Sequence, residues 1–161
     1  MLNNETLDFF KSKNCLVTGG TGMIGREIAL ILVNAGANVR VISLDKIKIH
    51  KKVDHVYGDL TNFEFCKEQT KDMDCVFHVA GIKGSVKVTL EKPASFFVPL
   101  LMFNTNVLEA ARLNNVQKLV YTSSIGAYSS NEVFVESDDE DQGPPMEMFP
   151  GWAKRMAEMQ I

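Results

Sequence analysis

An apolar strand that runs into three spaced glycines and straight on into a helix constrains this chain more than any other feature. The stretch is Val17-Thr18-Gly19-Gly20-Thr21-Gly22-Met23-Ile24-Gly25-Arg26-Glu27-Ile28-Ala29. Glycine at such a turn permits backbone angles that other residues resist. Missing side chains also let an anion approach the helix N-terminus, where unpaired N–H groups and the positive dipole end hold it. Gly19, Gly22 and Gly25 therefore read as a pyrophosphate cradle, with the amides of Met23 and Ile24 between them. The spacing alone is weak evidence, and a tight turn without a ligand is the plainer alternative. The strand before and the helix after supply the context that a dinucleotide site requires.

The rest of the chain repeats the alternation. Short β-branched or aromatic runs occur at Cys15–Thr18, Val39–Ile42, Val53–Tyr57, Cys75–Ala80 and Lys118–Ser123, each of strand length. Helical patterns lie between them. In Met23–Asn34 the residues Ile24, Ile28, Ile31 and Leu32 share a face, and Gly36 is placed to stop the helix. Phe63–Lys71 is a short candidate. Phe97–Asn114 starts near Pro93 or Pro99 and carries Leu101, Thr105, Leu108 and Ala111. A last helix begins at Ala153, with Met156, Ala157 and Gln160 on its side. Continuously apolar strands separated by helices predict a parallel sheet covered on both faces, an α/β doubly wound domain. Residues 129–150 break the pattern and predict a long loop.

At 161 residues, 45% hydrophobic and 23% charged, the chain has the size and composition of one globular domain. A net charge of −3 gives no electrostatic case for nucleic acid or a membrane surface. The acidic run Glu136–Asp141 reads as a solvated loop rather than a metal site. Cys15, Cys66 and Cys75 lack metal spacing; Cys15 and Cys75 open apolar runs and are expected to be buried. There is no signal-like start and no run of roughly 18 apolar residues, which leads to the expectation of a cytoplasmic protein.

With these elements in place, the Thr18–Gly25 turn resembles the short-chain dehydrogenase/reductase superfamily. Further motifs are similar to its extended branch, the NAD-dependent nucleotide-sugar epimerases, dehydratases and reductases. Gly58-Asp59-Leu60 looks like that family's adenine contact. His78-Val79-Ala80-Gly81 looks like the strand end beside the cofactor ribose, with His78 itself expected to be a satisfied core residue. The stretch from Asn106 to Ser124 matches the helix and fifth strand that lead to the family's active-site serine, here Ser124. Within the branch, the segment from Lys92 to Ala111 resembles the GDP-fucose synthase group. The resemblance implies a cofactor site at Gly19, Gly22, Met23, Ile24, Gly25, Asp59, Leu60, Ala80 and Gly81, with NAD or NADP as its occupant.

Choice between the two cofactors stays open. Asp45, 20 residues past Gly25, would accept from a ribose 2′-OH and favour NAD. If the strand ends at Ile42, Ser43 is the discriminating position, and Lys46 with Arg40 would neutralise a 2′-phosphate.

Family chemistry implies a Tyr-x-x-x-Lys pair whose lysine lowers the phenol pKa and binds the nicotinamide ribose. Gly151-Trp152-Ala153-Lys154 looks like this segment and assigns the lysine to Lys154. Pro150 stands where the tyrosine belongs, and Phe149 has no hydroxyl. Tyr57 and Tyr121 fall in strands and read as core, which leaves Tyr128 as the candidate substitute. Leu100 occupies a position where the family helix often has asparagine, with Asn104 one turn away. The chain resembles the N-terminal half of such an enzyme, a Rossmann-type domain over residues 1–161 truncated after the fifth strand and the following helix, and the resemblance implies the strand order 3-2-1-4-5. A fragment is expected, with a nucleotide-sugar substrate only when a C-terminal half is supplied, and with apolar surfaces open to homo-oligomer formation. A natural minimal nucleotide-binding or regulatory module is the alternative.

Overall fold

The computed structural model describes residues 4–82, 86–130 and 143–161. Five parallel strands form one sheet in the order β3-β2-β1-β4-β5: β1 Asn14–Thr18, β2 Asn38–Ser43, β3 Val53–Tyr57, β4 Cys75–His78 and β5 Lys118–Tyr121. This is the predicted order, and the Rossmann-type architecture holds. Among the described residues six α-helices accompany it: α1 Asn4–Phe10, α2 Met23–Asn34, α3 Phe63–Gln69, α4 Val86–Glu91, α5 Pro93–Leu113 and α6 Met148–Glu158.

Because side chains alternate along a strand, the sheet builds two cores. Cys15, Val17, Val39, Val41 and Cys75 meet α1 and α2 through Phe10, Ala29 and Leu32. Leu16, Ile42 and Val76 meet α5 and its neighbours through Phe96, Phe103, Val107, Cys66 and Ala153. Each fully buried Val or Leu contributes about 1.5–3 kcal/mol. All three cysteines are free and buried.

Several expected boundaries move, each for a physical reason. β4 and β5 stop two residues early, at His78 and Tyr121. Thr18, His78 and Tyr121 are the last row in register, and beyond it β1 turns away into the glycines. α5 begins at Pro93 and carries Pro99 inside it, so only the bond to the carbonyl of Ser95 is missing. On α2 the buried residues are Gly25, Ala29 and Leu32, whereas Ile24 and Ile31 are exposed, because the helix must press its glycine against the turn. On α5, Thr105 is exposed and Asn104 buried. Tyr57, expected in the core, is 38% exposed at the end of the edge strand β3. Residues 131–142, the acidic run among them, lie outside the described residues; of the other positions in the predicted loop, Ser129 pairs with Pro145 and α6 begins at Met148, five residues before the predicted start. Pro150 is tolerated there because first-turn amides need no helical partner, and Gly151 makes the first helical bond, donating to the Glu147 carbonyl at 2.7 Å. By length and mean hydropathy (1.2), α5 would also suit a membrane span, which the sequence reading did not anticipate. It packs against α3 and α6 with Leu100, Phe103, Val107 and Ala110 buried.

α6 is inside out. Its exposed residues are Met148, Trp152 and Met156, whereas Arg155 is buried and Lys154 and Glu158 are partly buried. A water-facing helix normally shows the reverse. The chain is therefore expected to self-associate through this face. Sedimentation of Trp152→Glu should give a dissociation constant at least ~10-fold weaker than the parent's. A parent chain that stays monomeric at high concentration would contradict this.

Candidate active site

A cleft of about 550 Å³ opens at the C-terminal ends of β1, β2 and β4. Its floor is the glycine turn. The Gly19 N–H donates to the Ile42 carbonyl at 2.8 Å, and Gly22 N–H returns to the Gly19 carbonyl at 3.0 Å. Gly19 sits at φ +66°, and a β-carbon there would lie 2.8 Å from the Ala80 Cα, so β1 and β4 close on each other only because this side chain is absent. Gly22 is the N-cap of α2 and offers no capping side chain, which leaves the first amides of the helix at Met23, Ile24 and Gly25 facing the cleft.

Ser43, Asp45, Asp59 and Leu60 line one end, and Ala80, Gly81, Pro99 and Phe103 the other. β2 runs through Ser43, whose hydroxyl donates to the backbone carbonyl of Asp45 at 2.7 Å. The Asp45 carboxylate accepts from the Thr21 hydroxyl at 3.1 Å and is thereby held at the cleft mouth. Arg40 cannot take the phosphate-pairing role considered above. Its guanidinium is 2.8 Å from Asp54 and also donates to the Gln69 carbonyl. Lys46 is exposed in the following loop. Asp59 accepts from the Thr61 amide at 2.9 Å, and the Leu60 carbonyl accepts from Asn106 at 3.0 Å, which fixes the Gly58–Leu60 turn.

The other candidates gather at the end of β5, outside the residues that line this cleft. Ser124 caps a 3₁₀ turn, Ile125–Ala127, by accepting from the Gly126 amide at 3.1 Å. Lys154 reaches across from α6 to donate to the Thr122 carbonyl at 2.7 Å, two residues before Ser124. Its ammonium lies 4.6 Å from the centroid of the Tyr121 ring. Burial lowers the Lys154 pKa, opposed by the Glu158 carboxylate one turn on. The Tyr128 carbonyl accepts from the Met146 amide at 2.7 Å. Arg155 clamps the same segment, donating to the carbonyls of Ala127 (2.5 Å) and Gly143 (2.6 Å) and to the Ser129 hydroxyl (3.2 Å). Pro150, in the first turn of α6, brings no hydroxyl to this cluster.

His78 is fully buried and bonded on both ring nitrogens, as expected of a core histidine, and burial pushes its pKa down to about 4. Sequence reasoning passed over Thr18, Thr21 and Arg155, and left Asn104 without a role. For Thr18 the signal was available: a hydroxyl at the last strand position before the glycines, level with His78.

The sequence profile of the NAD dependent epimerase/dehydratase family matches residues 15–161, and the chain belongs to that family. It is 32% identical to a UDP-glucose 4-epimerase of Yersinia enterocolitica, covering 73% of this chain and 38% of that one. It is 31% identical to a 3-beta-hydroxysteroid dehydrogenase of Mycolicibacterium neoaurum, covering 77% and 35%. Among solved structures, MoeE5 in complex with UDP-glucose and NAD superimposes with a TM-score of 0.77 at 26% identity, covering 91% of this chain and 47% of that one. The chain thus spans about half the length, or less, of the relatives it matches.

Proposed function

We propose that this chain is the NAD-binding portion of a nucleotide-sugar epimerase, dehydratase or reductase that works by hydride transfer at a sugar carbon. The observation that carries this reading is the side-chain-free floor at Gly19, Gly22 and Gly25, with a carboxylate fixed at the β2 end of the same cleft. The floor suits a pyrophosphate on the open amides of α2. Asp59 and Leu60 would border the adenine, Ala80 and Gly81 the ribose, and Lys154 the nicotinamide ribose. Ser124 would hold the substrate's reacting oxygen, with Tyr128 as the candidate proton donor beside it. Bound NAD would supply the hydride acceptor, and these side chains would do the positioning. A nucleotide-sugar substrate, a second half that closes over it and a reducing cytoplasmic setting belong to the same reading.

Asp45 makes NAD the better occupant than NADP, since its carboxylate accepts from a 2′-hydroxyl and repels a 2′-phosphate. Asp45→Ala is expected to raise NADP affinity ~10-fold, about 1.4 kcal/mol, while NAD weakens a few-fold, read by titration with each cofactor. Unchanged NADP affinity would remove Asp45 from the site.

Pro150 favours a second reading, a non-catalytic nucleotide-binding or regulatory protein. Hydride exchange against a panel of sugar nucleotides separates the two. Binding without exchange is expected of the portion alone. Silence that persists once a C-terminal half and Pro150→Tyr are supplied would favour the second.

A further inference from the structure

Beneath the cleft lies a buried polar chain that cofactor binding as described leaves without a task. The Ala80 amide donates to the Thr18 hydroxyl oxygen at 3.2 Å, and Thr18 Oγ1 is 2.7 Å from His78 Nδ1. His78 Nε2 is 2.9 Å from Asn104 Oδ1, and Asn104 Nδ2 donates to the Tyr121 hydroxyl at 3.1 Å. One direction satisfies every member. With an oxygen lone pair of Thr18 taken by Ala80, its proton points to Nδ1. Nε2–H then donates to Asn104, whose amide hydrogens remain for Tyr121. Tyr121 also stacks on the imidazole, with 5.6 Å between centroids and 25° between planes, and carries the Lys154 ammonium on its ring.

The surrounding sheet row needs none of this to pack. Leu16, Val76 and Val107 fill the same core with apolar groups. A satisfied buried network fixes one arrangement where an apolar core would accept several. This one starts at Ala80, on the cleft wall, and ends under Lys154, on a different element. We propose that His78 is a positioning residue, which holds the Ala80 strand end and the Tyr121 platform of Lys154 in register to receive the nicotinamide-ribose half of the dinucleotide. The proposal rests on the cofactor reading above.

The test compares NAD with ADP, which lacks that half, by calorimetric titration of the 161-residue chain. Thr18→Val keeps the side-chain shape and removes the hydroxyl that both Ala80 and His78 use. It is expected to weaken NAD ~10-fold or more and leave ADP within ~2-fold, with Thr18→Ser restoring NAD binding. Tyr121→Phe, which keeps the stacked ring but removes Asn104's acceptor, should show the same split. It decides the matter by the same ratio if Thr18→Val does not fold. Equal losses for NAD and ADP, or no loss, would overturn the positioning role while the cofactor site stands. A parent chain that binds neither nucleotide would overturn both.

Discussion

Gly25→Ala is expected to cost about 3 kcal/mol of stability and to weaken NAD binding at least ~100-fold. A β-carbon at Gly25 would overlap the Gly19 carbonyl oxygen and lie 2.7 Å from the Gly20 Cα. Both obstacles are backbone, and neither can swing aside as a side chain does. Gly19 is held in place too, since its amide is tied to Ile42 and the Ala80 backbone fills the space where its β-carbon would stand. The helix must therefore back away from the turn, which opens the core at Ala29 and Leu32 and pulls the amides of Met23 and Ile24 off the ligand. Gly81→Ala is the matched control for stability, because a β-carbon there meets nothing within 4 Å. Urea unfolding of the two variants should separate them clearly; equal midpoints would mean that the glycine turn is not the close-packed cradle described here.

The second large effect is acid sensitivity. Burial depresses His78 from 6.5 to about 4, with Asn104's hydrogen bond opposing and Lys154's charge assisting. An unfolded chain takes up this proton near 6.5, and the folded chain refuses it until about pH 4. Unfolding between those values binds a proton, so stability is complete above about pH 6.5 and falls as the pH drops to 4. The full loss is about 3 kcal/mol, a large share of a domain of this size. Asp74, held below its usual value by the Asn14 amide, adds a loss in the same direction at lower pH, which leaves the upper window to histidine. Urea midpoints from pH 7.5 to 4 measure the slope. His78→Gln should flatten it, and a parent chain with level stability across the window would contradict the buried, neutral assignment.

Much of this was legible in the sequence because it depends on local pattern. Strand runs of four to six apolar residues, the glycine spacing and the Gly-Asp-Leu turn are short-range signals; they marked the strands and the turn, and the family resemblance they carry implied the sheet order and the residues around the cleft. What escaped was set by distance. Arg40 reads as a free cation beside a phosphate site until β3 brings Asp54 alongside it. Ile24 and Ile31 look buried until Gly25 claims the inner face of α2. Asn104 looks like a displaced active-site residue until β4 and β5 place His78 and Tyr121 on either side of it. The start of α6 was missed in another way: the helical pattern opens at Ala153, whereas the helix itself begins at Met148, and a first-turn proline such as Pro150 is no obstacle to it. The inward-turned charges of α6 were invisible for the same reason, since Arg155 earns its burial only from carbonyls on the segment it clamps.

The cofactor site is tested most directly by a thermal melt of the 161-residue chain with and without NAD. At 100-fold over its dissociation constant, NAD should add about 2.7 kcal/mol and raise the midpoint by several degrees, with a smaller rise for NADP at the same concentration. A cooperative melt that neither cofactor moves would contradict the account, leaving a Rossmann-type domain whose glycine turn is only a turn.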